Sequence, residues 1–353
     1  MDKINVAVLG ATGLVGQKMV EILSKHPWFR ISYLGASESK RGLRYMETVK
    51  WRFSEYLPDE IVDMRLGGTR PDEIPGNIDI VFSALPSSVA AEVEIELARL
   101  GFIIVSNASP LRLERDIPLI NPEVNPHHLK LAKLQEARGW KGRILKNPNC
   151  TAAILTLSLA PLREYGIKEV IVTTMQAISG AGLRGVPGYE IVDNIIPFIE
   201  SEEDKIIDET RKILGETTSN GYRPAETMVS ATATRVPVLD GHLESVHVRL
   251  GKPVDIDDVT SSMEKFVSKP QKLGLPTAPP QPVIVNRYPD RPQPRLDRNA
   301  GNGMSVVVGR LEKPRLFDKE WLKYLVLGHN LIRGAAGIAV LVAELYVKEE
   351  GLV

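Results

Sequence analysis

The sequence predicts an α/β chain whose N-terminal part is a doubly wound parallel sheet. An α+β part with a mixed or antiparallel sheet follows it. Three observations carry this expectation. Short apolar runs alternate with helically spaced apolar residues up to about residue 149. A glycine-rich turn joins the first run to the first helix. Beyond residue 149 the strand candidates lengthen and mix Thr and His with β-branched residues, as in a sheet with one covered and one working face.

The elements follow in order. Ile4–Leu9 is a short apolar run ending at Gly10, the pattern of a buried parallel strand. Val15, Met19, Val20 and Leu23 recur at helical spacing. Residues 31–34, 78–85 and 102–105 read as further strands, with a helix over 88–100. A helix is expected over 151–165, then strands over 169–178, 228–236, 242–250 and 304–311. Helices are expected over 202–214 and 257–267. Residues 319–348 read as one long helix, apolar on one side. The predicted domains are 1–149, completed by a C-terminal helix at about 330–353, and 150–329.

Composition removes several classes. Forty-four Lys and Arg balance forty-four Asp and Glu, so bulk charge does not favour nucleic acid or an anionic membrane. No apolar stretch reaches the roughly 18 residues of a membrane span. The chain opens directly into a strand and glycine turn, so no signal peptide is expected. One cysteine among 353 residues rules out an intrachain disulfide and suits a reducing, cytoplasmic setting. Nothing suggests a metal. The apolar segment 189–199 predicts a homodimer or homotetramer.

The turn Gly10-Ala11-Thr12-Gly13-Leu14-Val15-Gly16 is a G-x-x-G-x-x-G variant of the Rossmann fingerprint. Its glycines let backbone approach a pyrophosphate, and the helix start offers free N–H groups and a positive dipole end. Thr12 can add a hydroxyl. After the second strand the chain reads Ala36-Ser37-Glu38-Ser39-Lys40-Arg41. Ser37, Ser39, Lys40 and Arg41 suit the 2′-phosphate of NADP better than the bare ribose of NAD, although Glu38 complicates that choice.

Lys146-Asn147-Pro148-Asn149-Cys150-Thr151 precedes the expected helix at 151. Asn149 suits the N-cap, which puts Cys150 in the first turn. There the helix N-terminus is expected to lower the thiol pKa. The same N–H groups and the Asn149 side chain are candidates for oxyanion stabilisation. A small buried core thiol is the ordinary alternative. Of the six histidines, His26, His127 and His128 read as solvated. His247 lies five residues beyond His242, on the opposite face of a regular strand.

The Asn-Pro-Asn-Cys-Thr motif, together with Gly-Ala-Thr-Gly-Leu-Val-Gly at the start, resembles the aspartate-semialdehyde dehydrogenase family, in its archaeal and fungal branch. The resemblance covers essentially the whole chain. It implies reversible NADPH-dependent reduction of L-4-aspartyl phosphate to L-aspartate 4-semialdehyde and phosphate, a step toward lysine, methionine and threonine. It implies a nucleophilic Cys150 and a His242 that accepts the thiol proton, with Gln176 orienting the acyl group. Arg235 is implied for the substrate α-carboxylate, Glu202 or its neighbour Glu203 for its amine, and Arg112 and Lys205 for phosphate. Arg112 follows Pro110-Leu111 where Ala-His is usual. Ser179, Gly180 and Asn330 are implied at the nicotinamide, with Leu85 and Pro86 lining the cofactor. The alternatives are archaeal-type malonyl-CoA reductase, N-acetyl-γ-glutamyl-phosphate reductase, and a non-catalytic NADP-binding module.

Overall fold

The computed structural model describes residues 3–53 and 56–352. Met1 and Val353, read above at the two ends of the predicted nucleotide unit, lie outside them. The first sheet contains β1 (Ile4–Leu9), β2 (Phe29–Gly35), β3 (Ile80–Ser83), β4 (Ile103–Ser106) and β5 (Arg143–Lys146), in the order β2-β1-β3-β4-β5. All of its pairings are parallel. Helices α1 (Leu14–Ser24) and α2 (Ser87–Leu100) cross between strands. Strand order reverses beside β1, so the carboxyl ends of β1, β3, β4 and β5 form the crevice where such sheets bind ligands.

Helix α3 (Cys150–Leu159) starts four residues after β5 and leads into the second unit. Every residue from Thr151 to Leu159 is buried, as expected of a helix apolar on all sides. The expected helix over 151–165 is therefore α-helical only to Leu159; a 3₁₀ segment, Ala160–Tyr165, completes it with Pro161 at its start.

The second sheet has six strands: β6 (Ile167–Gln176), β7 (Met228–Arg235), β8 (His242–Leu250), β9 (Val283–Asn286), β10 (Val306–Glu312) and β11 (Trp321–Gly328). Their order is β9-β10-β11-β8-β6-β7. The sheet is mixed: β6 with β7 and β9 with β10 are parallel, and the rest are antiparallel. Helix α4 (Glu202–Leu214) packs on β7, and α5 (Ile256–Glu264) lies over β9 and β10.

The long helix expected over 319–348 does not form. Residues 321–328 pair with both β8 and β10, and the helix α6 (Gly337–Glu349) begins only after a π-helical turn, Ile332–Ala336. Trp321-Leu322-Lys323-Tyr324-Leu325-Val326-Leu327 is apolar enough to fit either period, and pairing decides it. Helix α6 packs into the core of the first sheet through Ala339, Val340, Val342, Ala343 and Val347. Two histidines expected in solvent are buried: His26 bonds Glu344 of α6 at 2.8 Å and stacks on Phe29, and His128 is wholly enclosed. His127 is half-buried. No helix among the described residues is long and apolar enough to cross a membrane.

Candidate active site

Cys150 stands where the two sheets meet. Asn149 caps α3, its Oδ1 accepting from the N–H groups of Thr151 (2.9 Å) and Ala152 (3.2 Å). This is the predicted cap, and it narrows another expectation. The Thr151 and Ala152 N–H groups are already used, and the Asn149 Nδ2 donates to both oxygens of Glu202 at 3.0 Å, which leaves the Cys150 N–H as the first-turn donor for an oxyanion. The thiol pKa is also not lowered in the free protein. Burial pushes it up to about 12, the Glu202 charge adds to this, and Arg235 opposes it.

His242 opens β8, fully buried, with Nε2 3.2 Å from the Cys150 sulfur. Its Nδ1 accepts the Ala177 N–H at 3.0 Å. Burial, with the Arg235 charge and then His329, pushes its pKa down to about 3. His247 faces the other side of the strand and packs edge-on against Phe317.

Helix α4 brings three expected residues here and one unexpected one. Glu202 accepts from Asn149 Nδ2, from Gln176 Nε2 (2.9 Å) and from Thr151 Oγ1 (3.3 Å). Gln176 is thereby fixed beside the nucleophile. Glu203 accepts the Ala233 N–H, a structural task. Lys205 reaches the cleft, one turn on from Glu202. Glu209, two turns from Glu202, was not foreseen. Its Oε1 accepts from Arg112 Nη1 (2.8 Å) and its Oε2 from the Asn149 backbone N–H (2.6 Å).

Arg112 is buried and its Nε has no hydrogen-bond partner, a donor that suits an incoming anion. The Leu111 before it adopts a positive φ of 69°, a conformation that costs an L-residue about 1–2 kcal/mol. Lys212, also on α4, donates to the carbonyls of Arg112, Glu114 and Ile117 and so holds this loop. Behind it, buried Lys146 pairs with Glu94, which also accepts from Ser83 and Ser106; this ties the ends of β3, β4 and β5 together. Arg235 ends β7 and donates to the Ala177 carbonyl at 2.8 Å.

A cleft of about 660 Å³ opens over the sulfur. Among its lining residues are Val15, Leu85, Pro86, Arg112, Asn149, Cys150, Ser179, Gly180, Lys205 and Asn330. It joins the carboxyl edge of the first sheet to the second. A larger groove of about 840 Å³, between Gly215, Thr227 and Gly251, shares no lining residue with it and is lined by neither cysteine nor histidine. Gln176, Glu202, Arg235 and His242 are not among the lining residues of the cleft over the sulfur and reach the sulfur's surroundings from β6, α4, β7 and β8.

Residues 5–132 match the semialdehyde dehydrogenase NAD binding domain, and residues 159–333 the semialdehyde dehydrogenase dimerisation domain. The chain is 49% identical to the aspartate-semialdehyde dehydrogenase of Archaeoglobus fulgidus, over 98% of both chains. It belongs to the aspartate-semialdehyde dehydrogenase family. The structure of aspartate semialdehyde dehydrogenase with NADP from Candida albicans superposes with a TM-score of 0.89 at 39% identity, over 100% of both chains. The malonyl CoA reductase (NADP) of Metallosphaera sedula is 40% identical, over 98% of this chain and 97% of that one.

As expected of this family, the nucleotide turn is open. Gly13 stands at the N-cap of α1 and no side chain caps it. Gly10 has φ +75°, and a Cβ on it would lie 2.5 Å from the Ala84 carbonyl. On Gly16 a Cβ would lie 2.1 Å from the Gly10 carbonyl. The turn is therefore packed backbone to backbone, with the N–H groups of Leu14 and Val15 at a bare helix start. Lys40 donates to Thr12 Oγ1 (3.0 Å), and Ser37 bonds Ser39 (3.2 Å). Arg41 is half-exposed and paired with Glu73 (2.7 Å) and Glu38 (3.3 Å). These residues gather hydroxyls and cations at the end of β2, which fits a 2′-phosphate.

Asn330, expected at a nicotinamide, donates to Ser179 Oγ and accepts from the Gly241 N–H, both at 2.8 Å. It ties the turn after β11 to those before β8 and after β6. The π-helical turn comes so close that a Cβ on Gly334 would lie 2.5 Å from the Cys150 Cβ.

Proposed function

We propose that the chain reduces L-4-aspartyl phosphate to L-aspartate 4-semialdehyde, reversibly, through a thioester on Cys150. The carrying observation is the Cys150–His242 contact at the floor of a cleft shared by the glycine-turn sheet and Arg112. Cys150 attacks the acyl carbon, the acyl–phosphate bond breaks, and phosphate leaves. Arg112 and Lys205 hold the phosphate, Arg112 through its unpartnered Nε. Arg235 takes the α-carboxylate. Glu202 holds Asn149 and Gln176 in place and offers negative charge to the substrate amine. His242 hydrogen-bonds the sulfur. The NADP cofactor, when bound, supplies the hydride. Gly10, Thr12, Gly13, Leu14, Val15 and Gly16 hold its pyrophosphate, and Ser37, Ser39, Lys40 and Arg41 its 2′-phosphate. Leu85, Pro86, Ser179, Gly180 and Asn330 enclose the nicotinamide half.

The active form is proposed to be a homodimer in the cytoplasm, where one free thiol stays reduced. Tyr189, Val192, Ile195 and Phe198 are exposed apolar side chains, and β7 is the edge strand of its sheet, with Met228 exposed at its start. Light scattering should give twice the chain mass.

An acyl group carried on coenzyme A instead of phosphate is the second reading, supported by the 40% identical malonyl CoA reductase. Arg112 and Lys205 favour phosphate. NADP reduction with aspartate semialdehyde should require inorganic phosphate or arsenate. Coenzyme A with malonate semialdehyde should give none. The opposite dependence would overturn the phosphate reading.

A further inference from the structure

We infer that Glu73 sets the cofactor preference of this chain: it holds Arg41 in the free protein, yields it to a 2′-phosphate, and itself accepts the ribose 2′-hydroxyl when that phosphate is missing. The inference goes beyond the assignment of NADP and rests on the reading of residues 37–41 as the 2′-phosphate subsite. A dinucleotide-binding sheet that prefers NAD places an acidic side chain at the end of its second strand. Here β2 ends at Leu34-Gly35, and Ala36-Ser37 follow, so the strand end itself brings no carboxylate.

Another segment supplies one. Gly67 bridges to Gly35 in parallel, its N–H donating to the Leu34 carbonyl (2.9 Å) and its carbonyl accepting from the Ala36 N–H (3.0 Å). A 3₁₀ turn, Pro71–Glu73, then folds Glu73 back onto Gly68. A Cβ on Gly68 would fall on the Glu73 carboxylate, and a Cβ on Gly67 would fall on the Tyr33 hydroxyl. Both glycines are bare because a side chain from elsewhere fills the space over them. A Cβ on Gly35 would in turn lie 2.8 Å from the Gly68 carbonyl. The Glu73 carboxylate therefore rests against the main chain beside the end of β2, close to where the strand's own acid would stand.

Its Oε1 pairs with Arg41 Nη1 at 2.7 Å, and its Oε2 accepts the Arg70 N–H at 3.4 Å. The Glu73 side chain is 10% exposed and that of Arg41 51%, so the acid is held and the base is free to swing. Tyr33 registers both charges: burial first, then Glu73, raise its pKa, and Arg41 lowers it. Glu38 also reaches Arg41, at 3.3 Å, but it is mostly exposed and belongs to the same turn. Lys40 is committed the other way, to Thr12 of the glycine turn. One cation of the loop thus already faces the nucleotide turn, and the other is restrained by a carboxylate from a separate segment. A 2′-phosphate, with about two negative charges, takes Arg41 at the expense of that ion pair. A bare ribose offers a hydroxyl, which the carboxylate accepts. One residue opposes the phosphate and favours the hydroxyl, and the preference is the difference between the two.

Binding to the free, full-length enzyme tests this without any catalytic step, so the result does not depend on which acyl substrate is correct. Fluorescence titration gives Kd for NADPH and NADH. Calorimetry gives it for adenosine 2′,5′-bisphosphate and ADP, which lack the nicotinamide. Glu73→Gln should tighten NADPH and the bisphosphate by about threefold to fivefold, the worth of one partly exposed ion pair. NADH and ADP should weaken by about threefold, as loss of a charge-assisted acceptor requires. An equal change for both cofactors, which a purely structural role would give, overturns the inference, and so does no change. Should the amide variant not fold, Glu73→Asp, one methylene shorter, should move NADPH in the same direction. With Arg41→Ala already in place, Glu73→Gln should lose most of its effect on NADPH and still weaken NADH. An undiminished tightening of NADPH there overturns the route through Arg41. Arg41→Ala alone separates the two levels. If it leaves NADPH affinity unchanged, Arg41 is removed from the 2′-phosphate subsite and the inference falls with it. A loss in Arg41→Ala with no shift in Glu73→Gln removes the inference alone.

Discussion

Two strand–turn–helix units meet at the carboxyl edge of the parallel sheet, and they are built on opposite plans. The turn from β1 to α1 works by omission. Its glycines let backbone lie on backbone, and the helix start stays uncapped. The turn from β5 to α3 works by attachment. Asn149 caps the helix with its own side chain, and two glutamates from α4 hold that asparagine by side chain and by backbone. A site for a charged ligand has to leave donors free. A site for a nucleophile has to hold one atom in place, which calls for many fixed contacts.

The difference can be broken at either end. The largest stability loss is expected from Glu209→Gln. One carboxylate serves two donors, and an amide there sets an N–H against one of them. Breaking a buried charged pair costs on the order of 3 kcal/mol. Urea unfolding should show that loss, with NADPH affinity little changed in protein that remains folded. An unchanged midpoint would show that the nucleophile turn stands without its distant tie.

Gly10→Ala attacks the other unit. The positive φ and the 2.5 Å approach to Ala84 together predict about 2 kcal/mol of strain. Fluorescence titration should show NADPH binding weakened by about tenfold or more, while Cys150 alkylation stays near the wild-type rate. Loss of both would mean that the two turns are not independent.

The mildest change is Arg41→Ala. The residue is half-exposed and its ion pairs are worth about 1 kcal/mol or less. Melting should hardly move, and the preference for NADP over NAD should fall by roughly tenfold, as loss of one charge-assisted contact allows. A preference that does not change would assign the 2′-phosphate to Lys40 and the serines.

The same contrast explains what could be read from the sequence. The nucleotide turn is contiguous, so spacing alone announced it. The N-cap role of Asn149 is local and was also legible. Glu209 was not, because it lies 60 positions from Asn149 and 97 from Arg112, and its signature is an ordinary acidic residue on an amphipathic helix. The Ala177 contacts were out of reach for another reason: they are made by the main chain, which every sequence shares. The helix N-terminus points to a lowered thiol pKa, but burial, which the sequence does not display, is the larger effect here. Strand β11 reads as helix in the sequence because a run apolar on both faces has no period to distinguish strand from helix.

The reaction scheme depends on an acyl group resting on Cys150. Wild-type enzyme mixed with aspartate semialdehyde and NADP, without phosphate, should release a burst of one NADPH per site and stall. Intact-mass analysis should then find the aspartyl acyl group on Cys150, removed on adding phosphate, and Cys150→Ser should show neither burst nor adduct. An adduct that forms normally in Cys150→Ser, or phosphate-dependent turnover that persists in it, would contradict the account.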